Sequence, residues 1–253
     1  MSVLAVLLVA VGTADLLRGL GPHPSDSVRD TRGVPATGLL VLVVLAAAAG
    51  LLATWGGVVL TGLAALGLVA WLVCAERADR GSGHALALAV FAAAVLAQLL
   101  GSGWAPPAGG WFADWLAWSR LPWRPEPDRA LLLVGLALVQ LATGNRLVRL
   151  VLVTTGALPA RPLPGPSDGE LRGGRLLGPL ERLFILGLGL AGELTAAGLV
   201  IAAKGLIRWP ELRSHADGDD SPGAIGIDKV TEYFLVGSFV SWLVAMAALV
   251  LGS

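Results

Sequence analysis

The sequence predicts an all-α fold, a polytopic transmembrane helix bundle of about seven spans. The chain is 55% hydrophobic and 14% charged, whereas a soluble domain usually has about a quarter of its residues charged. Long apolar blocks alternate with short polar breaks along the whole chain. A length of 253 residues gives room for roughly six to eight membrane spans of about 20 residues each. We therefore expect one transmembrane helical domain over residues 1–253.

The spans follow the apolar blocks in order. The first block has no Lys or Arg ahead of it, which favours a retained first helix over a signal peptide. The charge-free stretch 36–75 is about twice as long as a membrane-spanning helix, so it predicts two helices that turn near Gly56. The predicted spans are 2–20, 36–54, 57–75, 84–101, 130–153, 179–207 and 230–251.

A tryptophan-rich stretch separates the fourth and fifth spans. Residues 104–124 hold five of the nine tryptophans. Trp111, Trp115 and Trp118 share one face of a helix, because they are spaced by four and three residues. Tryptophan prefers the headgroup region of a membrane, so we expect an interfacial amphipathic helix over about residues 110–120. A lid over a cavity is the alternative.

Orientation follows from the positive charges in the loops. With the amino terminus outside, the inner loops hold eleven of the 18 Lys and Arg residues and the outer loops hold seven. This predicts a multi-pass protein of the plasma (inner) membrane with an external amino terminus and a cytoplasmic carboxyl terminus. The last outer loop is the exception, because it carries four cations, and burial of these cations in pairs would explain it.

The sixth span carries three regularly spaced charges. Arg182, Glu193 and Lys204 are separated by eleven residues each, a rotation of about 20° beyond three full turns of an α-helix. On a continuous helix they form one line of roughly 33 Å, close to the thickness of the hydrocarbon core. An unpaired charge at that depth costs about 2.5–3.5 kcal/mol. We therefore predict a buried polar seam that faces protein and not lipid.

Other polar residues extend this prediction at both edges of the membrane. At the outer edge, Arg208 joins the seam with Glu232 and Tyr233, which open the seventh span. A pair of Glu232 with Lys204 or with Arg208 is expected there on grounds of depth. A second cluster is expected at the inner edge, formed by Asp15, Asn145, Arg146, Arg149 and Glu181.

Five short segments carry a resemblance to a known family. They are "ADLL" at 14–17, "TGNRLVRLVL" at 143–152, "GGRLLGPLERLFIL" at 173–186, "GLVIAAKGLIR" at 198–208 and "TEYFLVGSFVSW" at 231–242. Together they resemble an uncharacterised family of bacterial integral membrane proteins, a domain of unknown function, and the match is best over residues 143–242. The resemblance implies an inner-membrane protein with several spans and brings no reaction with it.

Three classes of function stay open. In a transport protein for a small solute, a proton or a cation, Glu193 would be the ionisable group, and the glycines of "GLGLAGE" would break its helix. In a structural scaffold or assembly partner, the charges would fix helix register. In an enzyme acting on a lipid phosphate, Arg146, Arg149 and Arg182 would hold the phosphate.

No catalytic motif such as HExxH or GxSxG occurs, so the sequence favours a protein that is not an enzyme. The formal net charge of zero gives no electrostatic reason to expect nucleic acid. The lone Cys74 excludes an internal disulfide and a CxxC metal site, and we expect no cofactor and no metal. The expected partners are the lipid bilayer, a small solute, proton or cation, and a membrane protein or a second copy of the chain.

Overall fold

A computed structural model describes residues 1–20, 33–120, 125–159, 172–203 and 227–253. Every regular element in these ranges is helical and none is a strand, which confirms the all-α class. The chain forms two compact units. Unit 1 contains Met1–Thr143 with Gly252, and unit 2 contains Gly144–Leu251 with Ser253.

Ten α-helices lie within the described ranges. Those of unit 1 are α1 (Ser2–Leu20), α2 (Gly33–Ala48), α3 (Trp55–Asp79), α4 (His84–Leu100), α5 (Gly110–Trp118) and α6 (Pro127–Leu138). A π-helix, Val139–Thr143, follows α6. Those that begin in unit 2 are α7 (Gly144–Thr154), α8 (Arg172–Leu190), α9 (Leu194–Ala203) and α10 (Ile227–Gly252).

Four helical stretches are long and apolar enough to cross a membrane. They are Ser2–Gly19, Trp55–Asp79, Pro127–Thr154 and Leu235–Gly252. Three further apolar helices, α2, α4 and α9, are shorter. The four long stretches are consistent with a membrane protein, whereas the predicted total of seven spans is not confirmed.

The first and fourth predicted spans correspond closely to α1 and α4, but the turn between the second and third lies earlier than predicted. Helix α2 ends at Ala48, and α3 already begins at Trp55. Gly50 adopts a left-handed conformation with φ of 69°, which ends the helical path. The Thr54 hydroxyl then accepts the Gly57 amide at 3.2 Å and caps α3. The sequence contains both Gly50 and the capping Thr54, but the glycines at 56 and 57 favoured a turn six residues further along the chain.

Helix α1 forms the centre of unit 1 and packs against α2, α3 and α6. Its residues from Val3 to Val11 are almost fully buried. Two glycines allow α1 and α6 to approach closely. A Cβ atom at Gly12 would lie 2.6 Å from Leu138 Cβ, and one at Gly135 would lie 2.9 Å from Leu8 Cβ. Small residues at such crossings let apolar helices associate through close van der Waals contact.

We expect Gly135→Ala to lower the free energy of unfolding by about 1–3 kcal/mol, because the added methyl overpacks the contact between α6 and α1. Thermal unfolding in detergent micelles measures this. The matched control is Gly62→Ala in α3, where a Cβ would meet no atom within 4 Å. That change should stabilise the helix by about 0.5–1 kcal/mol. Equal shifts for both variants would contradict the packing argument.

The sixth predicted span, 179–207, is not one helix. Helix α8 ends at Leu190, and Gly192 adopts φ of 84°. The Glu193 amide donates to Leu188 O at 2.8 Å and the Gly192 amide donates to Gly189 O at 3.1 Å. These two bonds form a Schellman motif, which ends a helix at a left-handed glycine.

Helix α9 starts directly after this break. The Glu193 carbonyl accepts the Ala197 amide at 3.0 Å, so Glu193 is the residue that caps α9. At the other end, α8 begins at Arg172 and contains Pro179 in its interior. The prediction that the helix begins at residue 179 and runs unbroken to 207 is therefore wrong. Residues 204–207 lie outside the described ranges.

Candidate functional site

The helix break removes the basis of the predicted charged seam. A single line through Arg182 and Glu193 requires an unbroken helix, and the left-handed Gly192 lies between them. Arg182 is fully buried whereas Glu193 is exposed. Lys204, Arg208 and the side chains of Glu232 and Tyr233 fall outside the described residues. The alignment of Arg182 with Glu193 on one helix face is thus wrong, and the pairs with Glu232 remain predictions.

Glu193 instead occupies the junction of α8 and α9. Its position as the cap of α9 places the residue where the unpaired amides of the first turn carry partial positive charge. A carboxylate near a helix amino terminus is stabilised by about 0.3–1 kcal/mol. Local helix geometry therefore explains why an apolar stretch retains a glutamate at this position.

Arg182 of α8 is fully buried and lies in a hydrogen-bond network of unit 2. Its Nη2 donates to Asn145 Oδ1 at 2.7 Å, and its Nη1 donates to Ser241 Oγ at 3.1 Å. The guanidinium thereby connects α8 to α7 and α10. It also lies against the backbone of Gly144, where a Cβ would be 2.7 Å from Arg182 Nε. No larger residue fits at position 144 without displacing the guanidinium.

The neighbouring carboxylate belongs to the same network. Glu181 is buried, and its Oε1 accepts the Trp242 indole N–H at 2.8 Å. Two consecutive residues of α8 therefore bind two consecutive residues of α10, namely Ser241 and Trp242. Because Glu181 and Arg182 carry opposite charges, the buried pair is neutral overall, which reduces the cost of taking both groups out of water.

Residues of the predicted inner-edge cluster have other described partners, and the cluster itself stays a prediction. The structure brings Asn145 to Arg182, which the sequence analysis had assigned to the seam. Arg146 is half-buried and Arg149 is exposed on the same helix. Sequence reasoning missed Ser241, Trp242 and Gly144. The spacing of the buried Ser238 and Ser241 along α10 was an available signal, because residues three apart share a helix face.

A second buried polar cluster lies in unit 1 around Asp15 of α1. Its Oδ2 accepts the Trp71 indole N–H at 3.1 Å and the Thr143 hydroxyl at 2.9 Å. Trp71 belongs to α3, and Thr143 ends the π-helix, which also contains the fully buried Gln140. Single π turns inside α-helices occur frequently at functional sites. Neither partner of Asp15 was predicted from the sequence.

Potential metal ligands do not gather in the described part of the chain. Within those ranges, no group of three or more His, Cys, Asp or Glu side chains is placed to hold a metal ion. Cys74 is buried in α3. The polar clusters consist instead of single carboxylates or a guanidinium bound by indole, hydroxyl and amide groups.

These features define a class: a helical protein with membrane-length apolar helices and buried polar networks. No family model, no curated protein and no solved structure matches the chain. The resemblance to a bacterial membrane family over residues 143–242 therefore remains an expectation, and the function has to be argued from the residues themselves.

Proposed function

We propose that the protein is an integral membrane protein that transports a proton or a small cation, alone or together with a small solute. The observation that carries the proposal is the exposed carboxylate of Glu193 at the break between α8 and α9. Discontinuous helices form the substrate and ion sites of many transporters, because a break frees backbone groups for binding.

The charge pattern around the break supports a cationic cargo. Glu193 is the one charged residue between Arg182 and Lys204 in the sequence. The carbonyl end of α8 carries partial negative charge and lies immediately before the carboxylate. Both groups attract a cation or a proton, and the amino end of α9, which stabilises the free carboxylate, opposes them only in part. Neutralisation by either one would offset the cost of about 2.5–3.5 kcal/mol for a carboxylate at membrane depth.

In proteoliposomes, the wild-type protein should conduct protons or Na⁺ down an imposed gradient, and Glu193→Gln should abolish that flux. The substitution removes the ionisable group and keeps the size of the side chain. An entrapped pH dye and radioactive Na⁺ measure the two fluxes. The matched control is Glu76→Gln in α3, because Glu76 is only half-buried and pairs with Arg80 one turn away.

Either of two results would contradict the proposal. The first is a wild-type flux of both ions no greater than that of empty vesicles. The second is a Glu193→Gln protein that is folded, as judged by an unchanged melting temperature, and conducts as the wild type does.

A scaffold or assembly role is the second candidate, and the Arg182 network favours it. Arg182, Asn145 and Ser241 join three helices of unit 2 through two hydrogen bonds, as expected of polar groups that specify helix packing. Under this hypothesis Glu193→Gln changes no flux, and variants of the network change stability alone.

The lipid-phosphate enzyme is less well supported. That hypothesis requires the guanidinium of Arg182 to bind phosphate, but the group is buried and bound to Asn145 and Ser241. Turnover of a lipid phosphate that is lost on Arg149→Ala would revive it.

A further inference from the structure

The segment that contains α5 lies across one end of unit 1. Three membrane-length stretches begin at this end, α1 at Ser2, α3 at Trp55 and α6 at Pro127. The Ser2 hydroxyl donates to Pro106 O at 2.8 Å, which attaches the segment to the start of α1. The Ala108 amide donates to Asp128 Oδ1 at 2.6 Å, which attaches it to the start of α6.

The same segment contacts the end of α2 and the start of α3. The Gly109 amide donates to Ala49 O at 2.9 Å, just beyond α2. Gly56, the second residue of α3, lies so close to Trp104 O that a Cβ atom there would clash with the carbonyl. The position of α5 is therefore fixed at the level where the three membrane-length stretches start.

Among the described residues, five tryptophan side chains are exposed at this end of unit 1, and we call them the tryptophan surface. They are Trp55, Trp104, Trp111, Trp115 and Trp118, with exposed fractions of 82%, 72%, 70%, 45% and 78%. On α5 the face opposite to them carries Leu116, which is only 9% exposed. Helix α5 thus turns its leucine toward the protein and its indoles away from it.

The opposite end of unit 1 has a different character. Helix α3 ends there with Glu76, Arg77, Asp79 and Arg80. Trp71, the indole of α3 nearest to that end, is fully buried. Among the described residues, exposed indoles therefore gather at one end of unit 1 and not at the end where α3 terminates.

We infer that the tryptophan surface lies in the phospholipid headgroup layer on one side of the membrane. An indole has an apolar body and one N–H donor, so it favours the boundary between acyl chains and water. The starts of three membrane-length helices mark that boundary in this fold. The inference concerns unit 1 and does not depend on the transport proposal, which rests on unit 2.

Spin labels can measure the depth of this surface in the full-length protein. Cys74 is the single cysteine, so Cys74→Ala gives a background for Trp111→Cys and Trp118→Cys, each labelled with a nitroxide in phosphatidylcholine–phosphatidylglycerol nanodiscs. Collisions with O₂ report contact with acyl chains, and collisions with a water-soluble nickel chelate report contact with water. Two controls calibrate the scale: Leu66→Cys in the middle of α3, which is 69% exposed, and Arg80→Cys at the charged end.

Labels at 111 and 118 should show nickel accessibility above that of position 66 and below that of position 80. A value equal to position 80 would place the surface in water, and a value equal to position 66 would place it among acyl chains. Low accessibility to both reagents would indicate a protein partner or a second copy. Each of these three results would overturn the inference.

A second measurement avoids cysteine substitution. Tryptophan fluorescence of the wild-type protein should be quenched more strongly by lipids labelled near the headgroup than by lipids labelled at the chain end. The variant with all five tryptophans of the tryptophan surface changed to Phe should lose most of this difference. Equal quenching by the two lipids in the wild type would contradict the inference.

Discussion

The free energy of unfolding of the double variant Asn145→Leu with Ser241→Ala should be about 3–5 kcal/mol lower than that of the wild type. These substitutions remove two hydrogen-bond acceptors of Arg182, which is buried in unit 2. A hydrogen bond to a charged group contributes about 1.5–3 kcal/mol, and a buried guanidinium that loses two of its acceptors keeps more of its cost of desolvation. Because a guanidinium stays protonated at ordinary pH, Arg182 cannot lose its charge to reduce this cost.

Reversible unfolding in detergent measures this effect. Arg182→Met should cost less than the double variant, because replacing a buried charge by an apolar side chain of similar size is often nearly neutral. The control is Thr155→Ala. The Thr155 hydroxyl donates to Leu152 O three residues earlier, so this variant removes a local hydrogen bond of unit 2 and leaves Arg182 unchanged. If the double variant proves no less stable than this control, Arg182 does not depend on Asn145 and Ser241.

Asp15→Leu should destabilise unit 1 by about 2–5 kcal/mol. The substitution leaves the Trp71 indole N–H and the Thr143 hydroxyl without their acceptor. A buried donor without a partner costs about 1–3 kcal/mol. Asp15→Asn should be milder, because the amide keeps a carbonyl oxygen that accepts both bonds.

A double-mutant cycle separates the contributions in this cluster. Thr143→Val removes one donor and keeps the shape of the side chain, so it should reduce the cost of Asp15→Leu. The measurement is again the free energy of unfolding in detergent. A cost that is the same in the wild-type and Thr143→Val backgrounds would show that the two side chains do not interact.

The sequence predicted the all-helical class well because composition and apolar block length are properties of whole segments. The tryptophan helix was predicted as a helix at nearly its observed bounds, Gly110–Trp118, since the one-sided spacing of its tryptophans is a local signal. Its interfacial position was predicted from the preference of tryptophan for the headgroup region, and it stays a prediction that the contacts of its segment with the helix ends support.

The predicted alignment of Arg182 with Glu193 is wrong for a specific physical reason. The rotation of about 100° per residue holds only while the helix continues, and the conformation of Gly192 interrupts it. The motif "GLGLAGE" offered the break as one option, but three regularly spaced charges favoured a continuous helix. The hydrogen bonds of Arg182 and Asp15 could not be predicted for a different reason. They join residues from 37 to 128 positions apart, and local sequence patterns do not show which distant residues meet.

The break at Gly192 also shortens the helical rods on either side of it. An unbroken helix from Arg172 to Ala203 would be about 48 Å long, whereas the hydrocarbon core of a bilayer is about 30 Å thick. A rod longer than the core has to tilt or to thicken the bilayer around it. Under the proposal that α8 and α9 lie in a bilayer, the two pieces can change their mutual angle instead, and bilayer thickness would then act on the hinge that carries the Glu193 carboxylate.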